Sequence, residues 1–281
     1  MAVHHVLGIS GGKDSAALAV YMSINRPELD IRYFFTDTGK ELPEVYDFFG
    51  NLEGFLGKPI EYLDSRRDFD YWLRAFNNFL PSPQTRWCTR VMKLEPFRQW
   101  IKPWLDAGDE VYSYVAIRAD EEHRTGMQEH HPNFHVVMPF REEGIDKAGV
   151  IDILESCGLG LPAYYEWRSR SGCTFCFFQQ KIEWVHLLER HPEKFMEAMS
   201  YEKTALDSGC PFTWTQGEPL AELMKPERVA QIKADFEKRK ERERKRIPIN
   251  PLRVGLETSF TDIDELYGLD EGNGACSICT K

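Results

Sequence analysis

The sequence contains no apolar run approaching the ~18 residues that a membrane-spanning helix needs. It opens directly on a strand-like segment, without the charged-then-apolar leader of a secretory signal, so the expected location is the cytoplasm. Internal repeats and low-complexity stretches are absent, which excludes solenoid and fibrous architectures. Positive charge is in deficit: 35 Lys and Arg against 45 Asp and Glu give a net charge of −10. That balance excludes a chain-wide nucleic-acid-binding surface and leaves room only for a local basic face. Cysteine is sparse, seven in 281 residues, and in a cytoplasmic chain such cysteines point to metal or sulfur chemistry rather than disulfides.

What is present is an ordinary globular composition, 42% hydrophobic and 28% charged, in a chain long enough to bury a real core. The first half alternates strand and helix patterns. Strands are expected at His4–Ile9, Ile31–Thr36, Pro59–Leu63, Val111–Ile117 and Phe134–Met138. Helices are expected at Ser15–Ile24, Pro43–Phe55, Phe69–Phe79, Leu94–Trp104 and Lys147–Cys157. Such alternation predicts an α/β fold with a parallel sheet flanked by helices, and ligands at the carboxyl ends of its strands. From about Pro162 the pattern changes to a Cys-rich turn and two long helices, Gln179–Ser200 and Leu220–Arg246. The expected organisation is a nucleotide-binding α/β domain over residues 1–160 and a Cys-rich, mainly helical region over 161–281. Ile182, Val185 and Leu188 form an apolar stripe that should pack the first long helix on the sheet domain. The run Lys238 to Arg246 carries interleaved Glu241 and Glu243 and reads first as a solvated helix face, with a nucleic-acid contact as the sharper reading.

The most informative string is Ser10-Gly11-Gly12-Lys13-Asp14-Ser15, between the apolar Val6-Leu7-Gly8-Ile9 and the helical Ala16-Ala17-Leu18-Ala19-Val20. Strand, glycine loop and helix start follow in that order. Glycines let the backbone approach an anion, and unpaired N–H groups at a helix start receive phosphate oxygens. Lys13 adds a cation, Ser10 and Ser15 add hydroxyls, and Asp14 or Ser15 can cap the helix. The spacing is not that of a Walker A loop, because Asp14 follows Lys13 and Gly8 and Gly12 are four apart. The string resembles the PP-loop of the ATP pyrophosphatases. Those enzymes hold the β,γ-pyrophosphate and cleave ATP between the α- and β-phosphates.

A second segment, Thr36-Asp37-Thr38-Gly39-Lys40-Glu41-Leu42-Pro43-Glu44, ends the second strand. A carboxylate such as Asp37 at that place suits Mg²⁺ or a nucleotide contact. Together the two segments resemble the phosphoadenylyl-sulfate (PAPS) reductase branch of the PP-loop family. Arg86-Trp87-Cys88-Thr89-Arg90 with Lys93 and Pro96 is similar to that branch's R-C-C…K…P segment, with one cysteine instead of two. Arg118 with Arg124, and Leu161-Pro162 leading to Ser171-Gly172-Cys173-Thr174-Phe175-Cys176, extend the likeness over Val6 to Phe178. The resemblance implies a nucleotide site built from Ser10, Gly11, Gly12, Lys13, Asp14, Ser15, Asp37, Thr38, Gly39, Arg118 and Arg124. The charge of an adenylation transition state implies Lys13, Lys93, Arg118 and Arg124 around it. Asp37 and Cys88 join them as candidate catalytic groups, and Arg86 and Arg90 could lower the pKa of Cys88.

Cys173-x-x-Cys176 and Cys276-x-x-Cys279 are two half-knuckles. Four soft thiolates suit an iron–sulfur cluster, a 4Fe–4S cluster first, or tetrahedral zinc. An alternative set is Cys88, Cys173 and Cys176 with a fourth ligand from the tail or from Cys157. Cys157 reads as a small buried hydrophobe, Cys210 has no assigned role, and His130, His131 and His135 read as a polar loop and strand start. The tail lacks the E-C-G-L-H-type end of a thiol-dependent PAPS reductase, and the Cys-Cys pair of an iron–sulfur APS reductase is missing. The remaining combination resembles the ATP-pyrophosphatase component of DNA phosphorothioation systems, the Dnd and Ssp type. That resemblance implies ATP-dependent adenylation of an acceptor phosphate on DNA. A cysteine desulfurase partner would supply sulfur, and partner proteins would help to present the nucleic acid. Sulfonucleotide reduction and tRNA thiolation are the alternatives, and a non-catalytic nucleotide sensor is disfavoured by the intact loop.

Overall fold

The computed structural model describes residues 1–122, 124, 131–210, 212–215 and 217–244, with residues 243–244 described by backbone alone. Cys276 and Cys279 lie outside the described residues, as do residues 245–246 of the last expected helix.

Five strands, β1 (Val3–Gly8), β2 (Ile31–Thr36), β3 (Ile60–Leu63), β4 (Glu110–Tyr114) and β5 (Phe134–Val137), form one parallel sheet in the order β3-β2-β1-β4-β5. This is the α/β architecture expected from the alternating pattern. Its central strands bury residues on both faces, as a sheet covered on both sides requires. In β1, Val6 and Leu7 are both fully buried but belong to different cores. Leu7 joins Tyr33 and Phe35 in the larger core, with α1 (Lys13–Asn25) and α2 (Pro43–Leu56). Val6 joins Phe34, Val111 and Phe134 in the smaller one. The sheet's period of two therefore sorts neighbouring residues onto opposite faces.

After β3 the chain forms α3 (Phe69–Ala75), the short turn α4 (Trp87–Thr89) and a π-helical turn at Arg90–Leu94. It then enters α5 (Glu95–Asp106), whose Phe97 and Ile101 cover the smaller core. Phe97 stacks on Phe34 with centroids 4.8 Å apart. After β5 come α6 (Pro139–Glu142) and α7 (Lys147–Ser156), which packs beside α1. The remainder is α8 (Lys181–Arg190), α9 (Pro192–Asp207), α10 (Leu220–Leu223) and α11 (Pro226–Arg244). None of the described helices is long and apolar enough to cross a membrane.

Both expected long helices are broken. Pro192 splits the first at His191, and Pro226 splits the second after Lys225. Proline has no N–H and fits only the first turn of a new helix. The expected helix Phe69–Phe79 stops at Ala75, because Asn77 and Asn78 take φ of 54° and 58°, a left-handed conformation that asparagine tolerates. Strand β4 ends at Tyr114, three residues before its expected end. The larger core runs on past the sheet: Tyr164, Trp184, Val185 and Trp214 are buried in the same cluster as Leu7 and Ala16. Helix α8 buries Ile182 and Val185, as its stripe predicts.

Candidate active site

Strand β1 lies between β2 and β4, so the chain leaves it toward one face and reaches β4 from the other. A crevice opens at the carboxyl ends of strands where connections diverge in this way. The loop 9–12 after β1 and the loop after β4 line that crevice, and the Cys-rich turn closes its third side.

The glycine loop is held by its own hydroxyls. Ser10 N–H donates to Ser15 Oγ at 3.0 Å, and Ser15 Oγ–H donates to the Gly12 carbonyl at 3.1 Å. Gly12, not Asp14 or Ser15, is the N-cap of α1, with no side-chain cap. The Ser15 hydroxyl is occupied in closing the loop instead. Gly11 has φ of +80° and a Cβ there would strike Val45 at 2.8 Å. A Cβ at Gly12 would meet Ser171 Oγ at 2.9 Å. Both positions therefore need glycine, one for its backbone and both for space. Two tyrosines from the later half complete the loop. Tyr164 O–H donates to the Gly11 carbonyl at 2.6 Å, and Lys13 N–H donates to Tyr165 Oη at 3.2 Å.

Lys13 is 2% exposed, with Nζ 4.9 Å above the Tyr165 ring. Arg118, 6% exposed, donates to Asp14 Oδ1 at 2.9 Å and to Asp120 at 3.0 Å. Burial would weaken the Arg118 charge, but Asp14, Asp120 and Glu121 outweigh it and raise its pKa. Burial would likewise raise the Asp14 pKa, yet Lys13 and then Arg118 hold the carboxyl below its usual range. Glu121 is buried and ion-pairs with Arg124. Lys93 reaches the cleft from the π-helical turn, a feature often found at functional sites.

The cleft thus gathers Ser10, Gly12, Lys13, Asp14, Ser15, Cys88, Lys93, Arg118, Arg124, Cys173 and Cys176 of the residues named from sequence. Gly11 shapes the loop from behind. Asp37, Thr38 and Gly39 do not line the cleft. Asp37 Oδ1 accepts from Gly39 N–H at 2.7 Å and from Tyr46 O–H at 3.0 Å, which folds the carboxylate into its own turn. Thr38 instead faces the Cys-rich turn, with Oγ1 3.1 Å from Cys173 Sγ.

Cys173 Sγ–H donates to Glu41 Oε1 at 3.6 Å. Burial, and then the Glu41 carboxylate, push this thiol well above its ordinary pKa, against Lys93. Among the described residues no three His, Cys, Asp or Glu groups are arranged to hold a metal. Of the five cysteines named as ligands, Cys88, Cys173 and Cys176 line the cleft, and Cys276 and Cys279 lie outside the described residues. Arg86 and Arg90, named as neighbours of Cys88, place their guanidinium groups over the rings of Phe178 and Phe76. Cys157 packs against the core at the end of α7, and Cys210 is buried.

Sequence reasoning missed the frame behind the Cys-rich turn. Arg168 is wholly buried and donates to the carbonyls of Gly172 (3.1 Å) and Cys173 (2.6 Å). Glu183, also wholly buried, accepts from Ser169 N–H, Ser169 O–H and Gln180 N–H at 2.7–2.8 Å. The Gln180-x-x-Glu183 spacing of a capping box was the available signal.

The uncharacterized protein MJ0973 of Methanocaldococcus jannaschii is 26% identical over 66% of this chain and 44% of its own length. The uncharacterized protein MJ0066 of the same organism is 31% identical over 41% of this chain and 23% of its own. This chain therefore spans less than half the length of either relative. A crystal structure of phosphoadenylyl-sulfate (PAPS) reductase from Candida auris aligns with 62% of this chain and 81% of its own, at 13% identity and a TM-score of 0.45. Residues 4–137, which carry the glycine loop and nearly all of the sheet, match the model of the phosphoadenosine phosphosulfate reductase domain.

Proposed function

We propose that this protein is an ATP pyrophosphatase that adenylates an acceptor phosphate, on a DNA backbone, and supports replacement of an oxygen by sulfur. The observation that carries the reading is the joining of two chemistries in one cleft. Lys13, Lys93, Arg118 and Arg124 surround a glycine loop at the start of α1, and the thiols of Cys88, Cys173 and Cys176 line the same space. In the first step an acceptor oxygen bonds to the α-phosphorus of ATP and pyrophosphate leaves. The cations neutralise charge on the α-phosphate and leaving group, where preorganised donors act most strongly. In the second step a persulfide sulfur, supplied by a cysteine desulfurase partner, attacks the activated phosphorus and AMP leaves. A cleft thiolate then attacks the S–S bond, which frees the sulfur-substituted acceptor and leaves a disulfide that an external dithiol reduces. Mg²⁺ would accompany the nucleotide and be held mainly by its phosphate oxygens, because Asp14 and Glu121 already bind arginines. An iron–sulfur cluster would need Cys276 or Cys279 to join the described thiols. The reading places the protein in the cytoplasm, with ATP and partner proteins.

The second reading is sulfonucleotide reduction, favoured by the match of residues 4–137 to the PAPS reductase domain. One assay separates the two. Isotope exchange between pyrophosphate and ATP, with acceptor DNA present, is expected from the wild type and should fall about 10²–10³-fold in Lys13→Met. Release of sulfite from PAPS and a thiol, with no exchange, overturns the adenylation reading in favour of reduction.

A further inference from the structure

Hydroxyl groups hold two of the backbone amides where α1 begins. Gly12 N–H donates to Ser10 Oγ at 3.3 Å, within the loop. Lys13 N–H donates to Tyr165 Oη at 3.2 Å, and Tyr165 comes from the short turn Ala163–Glu166. Amides in the first turn of a helix are the groups that take phosphate oxygens. Tyr165 Oη therefore lies where an oxygen of an anion on the loop would lie. Tyr165 and Ser171 both line the cleft. Ser171 crowds the same point: a Cβ on Gly12 would come within 2.9 Å of its Oγ and 3.4 Å of Tyr165 Oη. The same segment reaches the thiols. Tyr164 is wholly buried, stacks on Tyr165 with centroids 4.7 Å apart, and accepts Arg168 N–H on its carbonyl at 3.0 Å. The buried Arg168 guanidinium in turn holds the carbonyls of Gly172 and Cys173. Beyond them, Thr174 N–H donates to the Lys40 carbonyl at 2.7 Å. The thiol turn is thus anchored at its far end on the segment after β2, and at its near end on the glycine loop.

From this continuity we infer that Tyr165 is a positioning residue that joins the two chemistries of the cleft. An anion on the glycine loop takes the Lys13 N–H from Tyr165, and release of the tyrosine loosens the turn that bears Cys173 and Cys176. A charged oxygen wins the amide from a neutral hydroxyl, because charge-assisted hydrogen bonds are about twice as strong. A ligand shifts such an equilibrium only by preferring one arrangement, here the one in which the Lys13 N–H is released from Tyr165. The link is reciprocal, so removing the tyrosine hydroxyl both tightens the anion and loosens the turn. The thiols then become accessible to a sulfur donor when the nucleotide is seated. The inference rests on the glycine loop being the pyrophosphate site of the proposed function.

The test uses the full chain, inorganic pyrophosphate and two readouts. In isothermal titration calorimetry, Tyr165→Phe should bind pyrophosphate about three- to tenfold more tightly than the wild type, the worth of one neutral hydrogen bond. Tyr164→Phe, which leaves the Lys13 N–H with Tyr165, should not tighten it. In the wild type, pyrophosphate should speed alkylation of Cys173 and Cys176 by iodoacetamide about threefold or more, followed by mass spectrometry. In Tyr165→Phe alkylation should already run at the raised rate and no longer respond to pyrophosphate. Circular dichroism checks that the variants fold, and the wild-type alkylation is a test that needs neither of them. Slower alkylation in both proteins would mean that the anion merely shields the thiols, and overturns the inference. An unchanged rate in the wild type, or equal pyrophosphate affinities of wild type and Tyr165→Phe, does the same and leaves the proposed function standing. No binding to either protein tighter than about 1 mM overturns the loop as a pyrophosphate site, and the inference with it.

Discussion

Cys173 shows how much one residue's environment decides. From sequence its spacing to Cys176 reads as half a metal knuckle. In the fold, Glu41 and Thr38 hold its sulfur, and the carboxylate at Glu41 opposes ionisation. Glu41→Gln removes that charge and should bring the Cys173 pKa down, raising the thiolate fraction at neutral pH. Alkylation by iodoacetamide, followed by mass spectrometry across pH, should then be faster at Cys173 than in the wild type. An unchanged rate would mean that burial alone suppresses the thiol. The loop residues Gly11, Gly12 and Lys13 were legible in the sequence because a tight turn against an anion admits few residue types. Arg168 and Glu183 were not, because a buried charge is justified only by partners that the fold brings in.

At the scale of elements, four of the five strands were read to within about a residue, because each is a short run between breakers, whereas β4 was drawn three residues too long. The helices after residue 160 were over-extended, because the apolar stripe of α8 continues into α9 and hides the stop at Pro192. The N-terminus of α8 does more than start a helix. Glu183 ties Ser169 and Gln180 together, and so braces the turn that carries Cys173 and Cys176. Glu183→Ala leaves two buried donors of Ser169 and the part-buried Gln180 N–H without an acceptor and should cost about 3 kcal/mol, read as a lower midpoint in urea. Glu189→Ala, on the half-exposed side of the same helix, should shift stability by less than about 0.5 kcal/mol.

Across the whole molecule, acid stability reports how the last helix is attached. Hydrogen bonds from Arg228 and then Lys181 take the Glu218 pKa from 4.5 down to about 2. A depressed carboxylate stabilises the fold above its unfolded pKa and loses that contribution as pH falls through the folded value. Unfolding free energies of wild type and Glu218→Gln should therefore differ most above pH 4.5 and converge as pH falls toward 2. A constant gap down to pH 2 would assign the loss to packing.

The grip of Tyr164 and Tyr165 on the glycine loop has a consequence for how the protein comes into being. The family match stops at residue 137, but the loop's carbonyl and amide are fastened by hydroxyls that lie beyond it. Chains fold as they emerge from the ribosome, amino end first. Here the loop emerges 153 residues ahead of the tyrosine that closes over Gly11. A nascent chain with all five strands in hand still carries an unfastened loop, and a gene fragment cut at residue 137 would encode that unfinished stage permanently.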